Sequence, residues 1–293
     1  MNTTAKASSM TEAPATLAFT KSLKGRDVGI PVRPMTWSYD QEMPTFWMNN
    51  NAFMTMFLSG FSATLPDGEG HFIHSVRLFQ DQVTDPVLLA QVRAFIGQEA
   101  HHSKQHDAFN HTLEQRGIDL YTIEQRMKKM VQRWKTRLSP EQQLAMTVCA
   151  EHFTALLADQ LLSKNPQLLE LMAPQARNIW AWHSIEEAEH KAVAFDVYQQ
   201  TVGDRELLKR TMIGVTAMLL GSSMYNALTL MKGSGQLSNL KMWKESVGIL
   251  RKIGVSAWSD YKDFFKADFH PWQHDNRAAL ARMKRLYLNE DAA

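Results

Sequence analysis

The sequence has one cysteine in 293 residues, Cys149, so no intramolecular disulfide framework can staple the fold, and the chain suits a reducing compartment. Two residues before Glu151, that cysteine reads as a small core side chain. Net charge is also scarce, +2 at pH 7, and no long basic stripe is interleaved with aromatics. That excludes a nucleic-acid footprint and favours small or apolar partners. No alternating apolar and polar run marks a strand. There is no phosphate-cradling glycine loop, dinucleotide fingerprint or serine nucleophile elbow, so neither a nicotinamide nor a flavin is expected on this chain. Residues 1–30 are rich in Thr, Ser, Ala and Lys and lack the unbroken apolar stretch of a secretory signal. A flexible tail and a cytoplasmic location are expected.

Helix signals are plentiful. They run from Pro44 to about Ala63, from Pro66 to Gln82, and from Pro86 to Arg116 with Gly117 as the stop. Further ones span Asp119 to Arg137, a capped start at Ser139-Pro140-Glu141 continuing to Leu162, and Pro174 to Thr201, ended by Gly203. With 44% hydrophobic residues the chain can bury one large helical domain. The pattern predicts an all-α fold: a four-helix bundle over 31–203 and additional helices packed on it over 204–293.

Two copies of Glu-x-x-His stand out, Glu99 with His102 and Glu187 with His190, each preceded by a lone helical glutamate, Glu69 and Glu151. Residues three apart share a helix face and can grip one ion. At this composition a single Glu-x-x-His arises by chance roughly half a time per chain, so position decides. Around a turn near Thr84, Asp85 and Pro86, Glu69 lies 15 residues before Thr84 and Glu99 lies 15 after. Around Leu169, Glu151 lies 18 before and Glu187 lies 18 after. Both hairpins therefore bring their ligands to one height. Four carboxylates in a dry core carry about the charge that two divalent cations neutralise.

His183, one turn before Glu187, lies on the same stripe as His190 and offers a third imidazole. Glu186 and Glu189 fall off that stripe and are expected to face solvent, although Glu186, four before His190, rivals Glu187 as a ligand. His71 and His106 are candidates to orient a ligand or to assist catalysis. His106-Asp107 also offers a rival reading, the metal site of His-Asp phosphohydrolases, but that reading leaves both Glu-x-x-His pairs unexplained. Phe72, Phe95, Phe109, Phe153 and Phe195 near the ligands suggest an apolar pocket.

The order Glu, Glu-x-x-His, Glu, His-x-x-x-Glu-x-x-His resembles the ferritin-like di-iron oxygenases, particularly the arylamine N-oxygenases with their extra histidine ligand. Pro66-Asp67-Gly68-Glu69, the run from Phe95 to His102 and the run from Trp182 to His190 are similar to a bacterial family of predicted metal-dependent hydrolases, over roughly residues 30–270. The resemblance implies a ferritin-like four-helix bundle with a di-metal site. It points in two directions for chemistry. The expected activity is that of a non-haem di-iron oxidase or oxygenase, using O2 and an external electron donor such as a ferredoxin or reductase on a small apolar or aromatic substrate. The alternative is a two-metal hydrolase with Mn or Zn in the same site.

Thr211 to Met231 carries no charge over 21 residues. Ser222, Ser223 and Asn226 at its middle favour a buried or homodimer-forming helix. Contact with the surface of the inner membrane, or a membrane span, are the alternatives.

Overall fold

The computed structural model describes residues 25, 27–39 and 42–290, so most of the tail assigned to 1–30 lies outside the described residues. Within them the fold is all-α, and the one β-type pairing is an isolated bridge between Met48 and Met172. Helices α1 (Ala52–Ser62), α2 (Leu65–Arg77), α3 (Pro86–Gln115) and α4 (Tyr121–Arg137) lead to α5 (Pro140–Asp159), which ends in a π-turn, Gln160–Lys164. A short α6 (Gln167–Glu170) precedes α7 (Pro174–His190) and α8 (Val193–Thr201). The last three are α9 (Arg205–Met231), α10 (Leu240–Asp263) and α11 (Arg277–Leu288).

The starts follow the capping signals. Asp85 caps α3 on Val87 N (2.9 Å), with Pro86 at the first helical position, where its missing N–H is not needed. At α5, Ser139 and Gln142 form a reciprocal capping box ahead of Pro140. Gly117 ends α3 at φ +89°, a conformation that favours glycine.

Two expected helices have different limits. The first begins at Ala52, not at Pro44, because Asn49 and Asn50 adopt φ +49° and +54°, which a right-handed helix cannot contain. Asn51 then caps α1, accepting from Met54 N (2.9 Å) and from Ser246 Oγ of α10 (3.0 Å). The helix expected over Pro174 to Thr201 is broken at Lys191 and Ala192 into α7 and α8. There the buried Lys191 ammonium donates to His274 O (2.7 Å) and Asn276 Oδ1 (2.9 Å).

Four helices close a ring: α2 packs on α3 and α5, and α7 packs on the same two. Along α3 the buried side chains pass from Val92 and Phe95 in one apolar cluster to Phe109 and Leu113 in another. Between them come Glu99, His102 and His106, a polar layer between two apolar ones.

Helix α9 packs on α1 and α5 through Leu208, Met212, Val215, Ser223, Asn226, Ala227 and Met231. The buried-helix expectation for 211–231 holds for that face alone, since Ile213, Leu220, Met224, Tyr225 and Leu228 are exposed. By length and composition α9 is the one helix among the described residues that could cross a membrane.

Asn51 ties the start of α1 to α10. Asn51→Ala is expected to lower stability by about 1–2 kcal/mol. An unchanged urea midpoint would refute the cap.

Candidate metal centre

Seven side chains converge in the polar layer. Glu69, His102 and His183 offer ligand atoms within 4.8 Å of one another, and so do Glu99, Glu151, Glu187 and His190. All seven are buried. The two groups adjoin. Glu187 Oε1 lies 3.1 Å from His183 Nε2, 3.6 Å from His190 Nε2 and 3.8 Å from His102 Nδ1. Glu99 Oε1 is 3.1 Å from His190 Nε2 and 3.8 Å from His102 Nδ1. These two carboxylates stand where shared ligands would, with Glu69 and Glu151 at the sides.

Close as they are, these atoms do not satisfy one another. Both oxygens of Glu99 and of Glu151, Glu69 Oε1, Glu187 Oε2, His102 Nδ1 and His190 Nε2 are buried without a hydrogen bond. Buried polar atoms are rarely left so, and eight of them at one point call for a bound cation or for protons.

The outward nitrogens of the histidines explain why the inward ones are free. Gln98 Nε2 donates to Pro31 O (3.0 Å) and Glu189 Oε2 (2.9 Å), so its Oε1 must accept from His190 Nδ1 (2.8 Å). His190 Nε2 is thereby left unprotonated and turned inward. His102 Nε2 donates to the Glu186 carboxylate (3.0 Å), which leaves His102 Nδ1 for an ion. Around His183 the assignment runs through three residues. Asn110 Nδ2 donates to Ser62 O (3.2 Å), so Asn110 Oδ1 accepts from Ser62 Oγ (2.6 Å). Ser62 Oγ must then accept from His106 Nδ1 (2.8 Å), and His106 Nε2 from His183 Nδ1 (2.9 Å). The lone pair of His183 Nε2 points at the centre. Three imidazoles are thus held in the tautomer that binds metal.

Burial, then the neighbouring carboxylates, pushes Glu69, Glu99 and Glu151 well above the ordinary 4.5. Burial also raises Glu187, but with no ion bound and His190 and His183 protonated, their charge and hydrogen bonds outweigh it and hold that carboxyl well below the ordinary range. Burial and the charge of His183 lower His102 and His106.

Glu186 and Glu189, expected in solvent, are buried. The outer face of α7 reads Ala181, Ile185 and Ala188, which is apolar and is covered by α11. Arg33, in the segment before α1, forks onto Glu189 (2.8 and 2.8 Å) and reaches Glu186 (3.0 Å) and Glu290 (2.7 and 2.9 Å). Lys284 Nζ adds a contact to Glu189 at 2.5 Å. Burial raises Glu186 to about 7 against the pull of Arg33. Glu186 is therefore a partner of His102, placed outside both candidate groups.

His106 reaches the site through His183, whereas His71 makes no hydrogen bond at either ring nitrogen. Burial and His74 lower His71 to about 4. Asp107 is exposed while His106 faces inward, which removes the His-Asp phosphohydrolase reading. Cys149 is buried and its thiol meets Leu208 O (3.6 Å). Sequence reasoning missed Arg33, Gln98 and Lys284. The apolar outer face of α7 was the available signal that something covers Glu186 and Glu189.

A cavity of about 580 Å³ ends on Glu69, His183 and Glu187. Glu99, Glu151, His102 and His190 do not line it. Phe72 and Phe153 are in its wall, as expected for an apolar pocket, whereas Phe95, Phe109 and Phe195 are packed in the core.

Fold and site together define an all-α protein with buried Glu and His groups arranged for metal. The chain belongs to the family described as predicted metal-dependent hydrolase, whose profile matches residues 31–275. No curated protein and no solved structure shows a significant match to it. The family description agrees with metal dependence and supports the hydrolytic alternative more directly than the oxidative one.

Two outcomes follow. Without cations the folded chain holds more protons on Glu69, Glu99 and Glu151 than the unfolded chain does. Stability from these groups is therefore greatest below 4.5 and falls as pH rises through their raised values; Glu187 opposes this, and so do the buried His102 and His106, whose lowered values make stability rise with pH up to 6.5. Above about pH 6.5 the glutamates dominate, so chelator-treated protein should lose Tm there and metal-loaded protein should not. Equal profiles would sink the assignment. Gln98→Leu removes the acceptor for His190 Nδ1 and should weaken metal binding by about 10–100-fold in a chelator competition.

Proposed function

We propose that the chain is a two-metal enzyme that oxidises an apolar substrate with O2. Glu69, His102 and His183 would hold one ion, Glu151 and His190 the other, and Glu99 and Glu187 would be shared. The observation that carries this reading is the cavity, which ends on Glu69, His183 and Glu187 and is otherwise walled mainly by Met, Leu, Phe, Ile and Trp side chains. Such a wall takes an apolar body and offers few groups to grip a polar leaving group.

Iron suits this mixture of imidazole and carboxylate and, when bound, supplies the one-electron steps that O2 chemistry needs. The chain's own residues set the conditions. Ser103 Oγ donates to Glu69 Oε2 (3.0 Å) and orients that carboxylate at the cavity end. Trp182 stands edge-on to His102 (4.8 Å between centroids) and Phe95 edge-on to His190 (5.0 Å), so aromatic carbon and not water backs both rings. With no nucleotide-binding loop in the sequence, electrons would come from a separate ferredoxin or reductase.

The family description favours a second reading, hydrolysis by two Mn or Zn ions in the same shell. Here a leaving group needs a proton. His106 is bonded at both ring nitrogens, and His71, lowered to about 4, is neutral near pH 7. Neither is ready to give one, which weighs towards oxidation.

Loading the metal-free chain with ferrous iron under argon and then admitting O2 separates the readings. Two irons per chain and O2 uptake that depends on an added alkane or arylamine support oxidation. Ester or amide cleavage by the zinc-loaded chain, with no O2 uptake by the iron form, would establish hydrolysis instead. Glu187→Ala should lose both ions, whereas His183→Ala should retain them with altered reactivity. A full metal complement in Glu187→Ala would refute its shared position.

A further inference from the structure

The cavity reaches the surface between two helices. Leu220 and Met224 of α9 and Trp258 of α10 line it and are also exposed, at 59%, 38% and 57%. Thr216 Oγ1 and Tyr261 Oη join the two helices at one end of this opening (2.9 Å). Each lip is a stripe at helical spacing. On α9 the exposed stripe is Ile213, Ala217, Leu220, Met224 and Leu228, with no charge. On α10 it is Leu240, Lys244, Val247, Arg251, Val255, Trp258 and Lys262, all exposed, with apolar and cationic residues interleaved and no acid among them. Glu245, Asp260 and Asp263 of α10 fall off it, and the two aspartates face Lys164, Lys266 and His274. Cations also sit over the exposed aromatics: Lys262 Nζ over Trp258 (5.6 Å) and Arg126 of α4 over Tyr225 (4.8 Å).

We infer that this face docks on an anionic lipid bilayer and that the cavity draws an acyl- or alkyl-chain substrate from it. Apolar side chains between cations are what an interfacial helix presents to headgroups and acyl chains, with Trp and Tyr at the boundary. Anionic headgroups complement Lys244, Arg251 and Lys262. A helix of the bundle placed this way lies on the bilayer, because its other face is committed to α1 and α5. The choice of substrate rests on the proposed function of the cavity, whereas the docking does not depend on what the metals do.

The test is co-sedimentation of the full chain with vesicles of phosphatidylcholine alone or mixed with phosphatidylglycerol, in metal-loaded and chelated protein alike. Binding to the anionic vesicles, at least tenfold tighter than to neutral ones and weakened by salt, is expected. Lys244→Ala with Arg251→Ala, neither in the cavity wall, should lower it by roughly 25-fold, about fivefold for each cation removed. Ile213→Asp with Val255→Asp should abolish it while the helical circular dichroism stays the same. Absence of binding by the folded wild-type chain overturns the docking. So does a dimer broken by the Ile213 and Val255 changes in a chain that ignores vesicles, since a second copy would then cover the face. Resistance to alkaline extraction also overturns it, in favour of a span. Binding without uptake of a radiolabelled fatty chain from the vesicles would overturn the substrate half alone.

Discussion

Four carboxylates brought together in a dry core repel one another, and much of the structure answers that repulsion. Glu69, Glu99, Glu151 and Glu187 have one neutral donor among them, the Ser103 hydroxyl on Glu69, and otherwise face imidazoles. Proteins satisfy buried charge with partners or ions. Here the chain withholds its own cations from the centre: the Arg33 guanidinium and the Lys284 ammonium are spent one layer further out, on Glu186, Glu189 and Glu290. Two electrostatic layers result. The outer one is nearly balanced within the chain, and the inner one is balanced by what it binds.

That division explains the histidines. A carboxylate cluster without ions could recruit protonated imidazoles as counter-charges, but the outer layer fixes where each ring carries its proton. Gln98, Glu186 and the chain through His106 and Ser62 to Asn110 all take the N–H on the side away from the centre. The second of these begins from a side chain that itself needs Arg33, which comes from before α1 and also bonds Glu290 near the end of the chain. Segments from before α1 and after α11 thus meet over α7, and a change in either reaches the ligands through hydrogen bonds, without touching them.

How much of this was legible in the sequence depends on whether the information was local. Helix starts at Pro86 and Pro140 carry their caps beside them, and Glu99, His102, Glu187 and His190 declare a shared face by spacing. Hairpin symmetry then brought in Glu69 and Glu151. The burial of Glu186 and Glu189 is a different kind of fact, because Arg33 lies 153 and 156 residues away from them and no period connects the two. Even so, Ala181, Ile185 and Ala188 on the outer face of α7 were an apolar surface that a wet helix would not carry. The start of α1 at Ala52 was hidden for a local reason: Asn49 and Asn50 tolerate the left-handed conformation but do not demand it, so a helical pattern reads straight through them.

The centre is approached from one side only, and this asymmetry ties the site to the surface. Glu69, His183 and Glu187 border the cavity, while Glu99, Glu151, His102 and His190 lie behind them. A molecule in the cavity therefore meets Glu69, His183 and Glu187 before any of the other candidate ligands. The same cavity runs past Met, Leu and Ile side chains to Leu220 and Met224 of the uncharged stripe on α9. Under the proposed function, a substrate with a long apolar body and one reactive end is the shape that suits this lining: its body would be held by the wall and its end would face the ligands. A compact polar substrate would be desolvated on entry, and along the wall His71, Gln160 and a few hydroxyls are the polar groups available to compensate. The position of the ligands on one stretch of the cavity wall thus decides which of them a molecule there can touch.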